Sequence, residues 1–204
     1  MKEVVDALTI GQQNVVRELG LGGLLDIKGF RIDDEFLTWI VNNFNCQTRT
    51  LDVHGVKMKV TPTDVERVIG VSCTGVDVSL VGLDLAVDED LEALLEIPVK
   101  DGVVVLSSIK KELKTLVSHG SAFRVKFILF VLGKLLAPSP YWAHRRALIP
   151  FMYNIQTAGK VNWATLVVDE LSNGIAEAKK KSAPEVYGCV VLLMVSELLI
   201  YNTC

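Results

Sequence analysis

Residues 162–181 read NWATLVVDELSNGIAEAKKK, and this stretch decides the fold class. Ala164, Val167, Val168, Leu171 and Ile175 recur at the three- and four-residue spacing that places apolar side chains on one side of an α-helix. Asn162 stands where a side-chain oxygen can accept an unpaired amide of the first turn. Lys179, Lys180 and Lys181 fall in the last turn, where cations oppose the helix dipole, and Pro184 forbids continuation. The spacing predicts one amphipathic helix over residues 163–181.

Working outward, residues 106–117, 123–137 and 186–201 carry the same helical signal. The most apolar run, 188–201, is shorter than the ~20 residues a bilayer requires and contains Glu197, so a buried helix is expected and no membrane contact. Upstream, Thr61-Pro62-Thr63-Asp64 sets a capping threonine, a proline at the first helical position and an acid three residues after the cap, predicting a short helix to Ile69. Just before it, Leu51, Val53, Val56, Met58 and Val60 alternate around His54-Gly55. A two-residue turn there pairs Val53 with Val56 and Leu51 with Met58 on one face, and Asp52 with Lys57 on the other. Asp33 is the expected N-cap of a helix presenting Phe36, Leu37, Ile40, Val41 and Phe44. Residues 4–19 suggest one helix or two short ones interrupted at Gly11, ended by the glycine-rich stretch 20–23. A further short helix is expected near residues 89–95. The expectation is a mainly α, compact helical domain with one small β-hairpin near residues 50–60, organised as an N-terminal helical arm (1–19) and a helical domain (20–204).

Composition supports a folded core: 50% of the 204 residues are apolar and 22% charged. A formal charge of -3 gives no global sign of a polyanion partner, so any basic surface must be local. Between Val68 and Val99 there is no lysine or arginine, while Asp77, Asp84, Asp88, Glu89, Asp90, Glu92 and Glu96 give the segment a charge of -7. Cys46, Cys73, Cys189 and Cys204 are widely separated and lack histidine at ligand spacing, which favours buried free thiols over a zinc site or disulfides. Residues 1–10 carry Glu3 and Asp6 and no signal-like apolar segment, so an intracellular protein is expected.

Several near-motifs fail on chemistry. Gly70 and Gly75 have phosphate-loop spacing, but Val76 and Asp77 stand where lysine and a hydroxyl residue are needed. In Gly70-Val71-Ser72-Cys73-Thr74-Gly75, Thr74 replaces the second glycine of a nucleophile elbow. Gly20-Leu21-Gly22 begins a dinucleotide fingerprint that Leu25 breaks. Ser107-Ser108-Ile109-Lys110-Lys111 holds two S-x-x-K spacings without their companion motifs. His144, Asp169 and Cys189 follow the chain order of some cysteine proteases, but Cys189 opens an apolar run that suits a structural thiol. Residues 61–72 imitate the start of a helix-turn-helix, although its second helix would fall in the acidic segment. Basic side chains cluster at Lys110, Lys111 and Lys114, at Arg124 and Lys126, at Arg145-Arg146, and at Lys179 to Lys181. Tyr141, Trp142, Arg145 and Arg146, in a proline-flanked loop, form the expected partner surface.

Several segments together resemble the plant mobile domain, also called the aminotransferase-like plant mobile domain, of transposon-derived proteins. They are residues 20–25 (GLGGLL), 39–45 (WIVNNFN), Val53-His54-Gly55 with 60–65 (VTPTDV) and 69–71 (IGV), 135–139 (LLAPS), 162–164 (NWA) with 168–171 (VDEL), Gly174-Ile175, and 188–190 (GCV). The resemblance covers roughly Gly20 to Tyr201. It implies a non-catalytic nuclear helical domain linked to transposable-element silencing or genome maintenance. The implied partners are nuclear proteins, including a phosphoprotein phosphatase-type partner. Similar domains occur fused to ubiquitin-like-protein proteases or phosphatases, and neither catalytic domain lies in these 204 residues. No lysine has a pyridoxal-phosphate setting, so no cofactor is expected. The resulting expectation is a protein-interaction module of a transposon-related plant protein, with nucleic-acid binding of transposase origin as the alternative and a hydrolase using Cys189 and His144 as a third reading.

Overall fold

A computed structural model describes residues 1–27, 33–78, 87–138, 145–181 and 186–194. Its elements are α1 (Lys2–Val5), α2 (Ile10–Glu18), a tight helical turn (Gly22–Leu25), α3 (Asp34–Asn43), β1 (Phe44–Asn45), β2 (Thr50–Val53), β3 (Val56–Lys59), α4 (Pro62–Ile69) and α5 (Glu89–Leu94). There follow β4 (Val99–Lys100), β5 (Val103–Val104), α6 (Leu106–Thr115), α7 (Ser121–Val131), a wide π-type turn (Leu132–Leu136), α8 (Ile149–Tyr153), α9 (Ile155–Ala158) and α10 (Trp163–Lys181). Residues 191–194 are helical, and the remainder of the helix expected over 186–201 lies outside the described residues. The mainly α expectation holds.

The chain's own caps start the helices where expected. Thr61 and Asp64 form a reciprocal capping box at α4, Asp33 accepts the Glu35 amide at 2.9 Å, and Asn162 accepts that of Thr165 at 3.0 Å. The N-terminal break falls at residues 6–9 rather than at Gly11, because Thr9 and Gln12 build a capping box of their own. Segment 1–19 packs into the core. Val4 and Val16 are fully buried, and the enclosed Gln12 side chain donates to the carbonyls of Leu116 (2.6 Å) and Ser118 (3.0 Å).

At the centre, α7 is largely apolar, and Phe123 and residues 125–131 are all buried. Phe123 and Phe127 stack within it at 5.7 Å, and α2, α6 and α8 pack around it. Lys126, read from sequence as part of a basic face, is enclosed here with Nζ 2.7 Å from Glu112.

β1, β2 and β3 form an antiparallel sheet in that order, with the expected hairpin register: Val53 opposite Val56, Asp52 opposite Lys57, Leu51 opposite Met58. β1 adds Phe44 opposite Leu51 and Asn45 opposite Thr50. A second ribbon, β4 with β5, was not anticipated because each strand is only two residues long. The β2–β3 turn holds His54 at φ 51° and Gly55 at φ 85°, the left-handed pair that matches strand twist. A Cβ at Gly55 would meet no atom within 4 Å. Gly55→Ala is therefore expected to introduce backbone strain alone, about 1–2 kcal/mol. Chemical denaturation would show this, and a loss above ~3 kcal/mol would mean the turn is packed against something.

Candidate functional site

A concavity is built where α3 runs into the sheet. α3 ends at Asn43, whose side chain donates to the Trp39 carbonyl at 2.8 Å, and the chain turns out through buried Phe44. The Asn45 carboxamide oxygen accepts the amides of Gln47 and Thr48, both at 3.0 Å, which closes the β1–β2 turn. Thr48 and Thr50 hydroxyls bond each other at 2.8 Å, and Asp52 accepts the Gly55 amide at 2.8 Å. From α10, Lys179 reaches across to the Phe44 carbonyl at 2.8 Å. The result is a groove of about 790 Å³.

Strand register explains its polarity. Phe44, Leu51 and Val53 turn their side chains to the core, so Asn45, Thr50, Asp52 and Lys57 occupy the opposite face and line the groove. Asn42, Asn43, Gln47 and Thr48 add amides and a hydroxyl. Such a lining can satisfy the polar groups of an incoming ligand, with Phe44, Cys46 and Ala176 supplying apolar area beside them. Cys46 also lines it, and burial raises its thiol pKa, with Lys179 pulling the other way. A depressed thiol pKa, the mark of a nucleophilic cysteine, is not found here.

The expected partner surface does not assemble as expected. Tyr141 and Trp142 lie outside the described residues, and the two arginines turn inward. Arg145 is 1% exposed and donates to the Ala137 carbonyl; burial pulls its pKa down to about 10, with Glu170 pushing it back up. Arg146 forms a two-pronged ion pair with Glu92, Nε to Oε1 at 2.8 Å and Nη2 to Oε2 at 2.6 Å, and this raises the pKa of the guanidinium. A guanidinium enclosed in this way is not available to a partner.

The near-motifs also take structural roles. Residues 70–76 form an extended strap between the 20–23 turn and the start of α10: Ser72 N–H donates to Gly20, Val76 N–H to Lys160, and Ala164 N–H to Ser72. Amides spent this way cannot cradle a phosphate, and the extended course through residue 78 replaces the second helix of a helix-turn-helix. Of the protease-like trio, His144 lies outside the described residues, and Asp169 pairs with Arg49 at 2.6 Å. Desolvation lifts the Asp169 carboxyl above the usual range, against the pull of Arg49 and with a push from Asp77. Cys189 is 1% exposed, and burial pushes its thiol up to about 12. In the native chain Cys189 is expected to resist alkylation by iodoacetamide at neutral pH and to react only after denaturation. Peptide mapping of labelled protein checks this, and rapid native labelling would contradict the enclosed setting.

The basic clusters are largely committed to neighbours. Lys110 and Lys114 pair with Glu3, Lys180 with Glu177, and Arg124 donates to the Tyr153 carbonyl. Among the described residues no group of three or more His, Cys, Asp or Glu side chains is placed to hold a metal, and no helix is long and apolar enough to cross a membrane. Sequence reading missed the groove; its trace was the amide-rich run Asn42 to Thr48 between a helix and a hairpin.

A family model described as Domain of unknown function (DUF8566) matches residues 1–194. No curated protein and no solved structure matches the chain. The family match corrects the resemblance drawn from short segments: no plant mobile domain match is found. Within the described residues those segments are mostly turns, caps, helix faces and short strand pieces, features that unrelated domains share for physical reasons.

Proposed function

We propose that this chain, which belongs to the DUF8566 family of unknown function, is a non-catalytic protein-interaction module that receives a segment of partner polypeptide in the α3–sheet–α10 groove. The supporting observation is the groove's lining of carboxamides and hydroxyls beside a sheet edge that is unpaired among the described residues, a chemistry matched to peptide backbone. A nuclear address, a phosphatase-type partner and a silencing role were implications of the overturned resemblance, and the proposed module is defined without them. Nucleic-acid binding draws less support, because Lys110, Lys114, Lys126, Arg49 and Arg146 are ion-paired within the chain.

The test places a photo-crosslinking benzoylphenylalanine at Gln47, in the groove, and in a second variant at exposed Lys111 on α6. Both are irradiated in extract from the source cells. The same polypeptide captured at position 47 and absent at 111 is the expected result. Equal capture at both positions, or none at 47, overturns the proposal.

A further inference from the structure

We propose that the open edge of β3 accepts an extended segment of a partner protein by strand addition, and that this segment alternates acidic with apolar residues. The inference rests on the interaction-module reading and names the chemistry of its partner.

Among the described residues, the sheet order leaves β3 with a strand on one side only. Which of its backbone groups face outward follows from the hairpin. In an antiparallel pair, hydrogen-bonded and non-hydrogen-bonded positions alternate. A two-residue turn makes Val53 and Val56 a bonded pair, so Leu51 with Met58 is the next, and the bond from Val60 N–H to the Arg49 carbonyl at 2.8 Å continues the series. Lys57 and Lys59 fall between these pairs. Their N–H and C=O groups therefore point away from β2, toward the open edge. Their side chains share one face, with Asp52 and Thr50 opposite them, while exposed Val56 and half-buried Met58 occupy the other.

An incoming strand thus meets lysine, apolar, lysine, apolar in alternation. Acidic residues opposite Lys57 and Lys59 complement the charges, and apolar residues between them cover Val56 and Met58. A second copy is a poor occupant: antiparallel pairing of two β3 edges sets lysine against lysine, the usual defence of an edge strand against self-association. The same lysines that repel a copy attract an acidic strand, and Lys179 in the adjoining groove adds to that field.

The experiment titrates the full, isotope-labelled chain with the peptide acetyl-Thr-Glu-Val-Glu-Val-Thr-amide, followed by amide NMR. Saturable shifts are expected at Lys57 and Lys59. N-methylation of the two glutamate amides, which face β3 in the proposed register, should abolish binding, whereas N-methylation of the valine amides should leave it intact. The K57E/K59E variant should bind about tenfold more weakly, as two exposed attractions become repulsions, and should recover with a peptide carrying lysine in place of glutamate. Both lysines are exposed, so this variant is expected to fold, and its amide spectrum shows whether it has. No saturable shift, equal effects of the two methylation patterns, or unchanged affinity of K57E/K59E overturns the inference. Crosslinking at Gln47 decides the groove reading independently, so capture there without peptide binding here removes the acidic-strand partner alone.

Discussion

Replacing Arg146 by methionine should lower the stability of this chain by about 3–5 kcal/mol, because it strands a carboxylate in the interior. Arg146 and Glu92 are only 11% and 6% exposed at their side chains, and the guanidinium meets both carboxylate oxygens. Its remaining amine approaches the Gly102 carbonyl at 3.4 Å, which links acidic helix α5, the β4–β5 ribbon and the chain just before α8. Exposed pairs such as Lys2 with Asp6 contribute roughly a kilocalorie at most; enclosure makes the difference here. In a chain of this size the loss corresponds to a melting temperature lower by roughly 6–20 °C. The double variant E92M/R146M should regain most of it, since no charge is then left behind. Urea denaturation of the two single variants and the double variant checks this. A single-variant loss within ~0.5 kcal/mol would show that water reaches the pair.

Gly23→Ala is expected to be comparably damaging, at about 3 kcal/mol or more, for a different reason. Gly23 lies against Gly70, the left-handed residue (φ 71°) that ends α4, and its N–H donates to the Gly70 carbonyl at 2.8 Å. A Cβ added at Gly23 would overlap the Ile69 carbonyl and the Gly70 Cα and sit 2.7 Å from the Gly70 oxygen. These are backbone atoms and cannot swing aside as a side chain does. The comparison with Gly55→Ala isolates the effect, since that site has strain without neighbours. Melting curves for both variants test it: Gly23 has no positive φ, so a negligible shift for Gly23→Ala would mean that the Gly23–Gly70 contact opens without penalty.

Much of the fold was legible because its signals are local. Thr61 and Asp64, Asp33 and Glu35, and the His54-Gly55 turn each act within a few residues, so reading neighbours is enough to place α4, α3 and the hairpin register. The site was less legible. Arg145 and Arg146 beside aromatic residues in a proline-flanked loop read as surface, and nothing within that loop discloses that Glu92 encloses one and the Ala137 region the other. The groove escaped notice because its walls come from α3, the sheet and α10, more than 130 positions apart at the Phe44–Lys179 contact.

By itself, the sequence determined the helical class, the caps, the hairpin and its two-faced register, because hydrogen-bond competition and side-chain alternation act between near neighbours. Only the tertiary structure decided which cations are enclosed, which sheet edge stays open and where the groove lies. Those outcomes depend on contacts such as Gln12 with Leu116 and Trp163 with Leu19, separated by 104 and 144 positions. Burial of a charge or exposure of an edge is settled by what distant segments cover, and local periodicity carries no record of that.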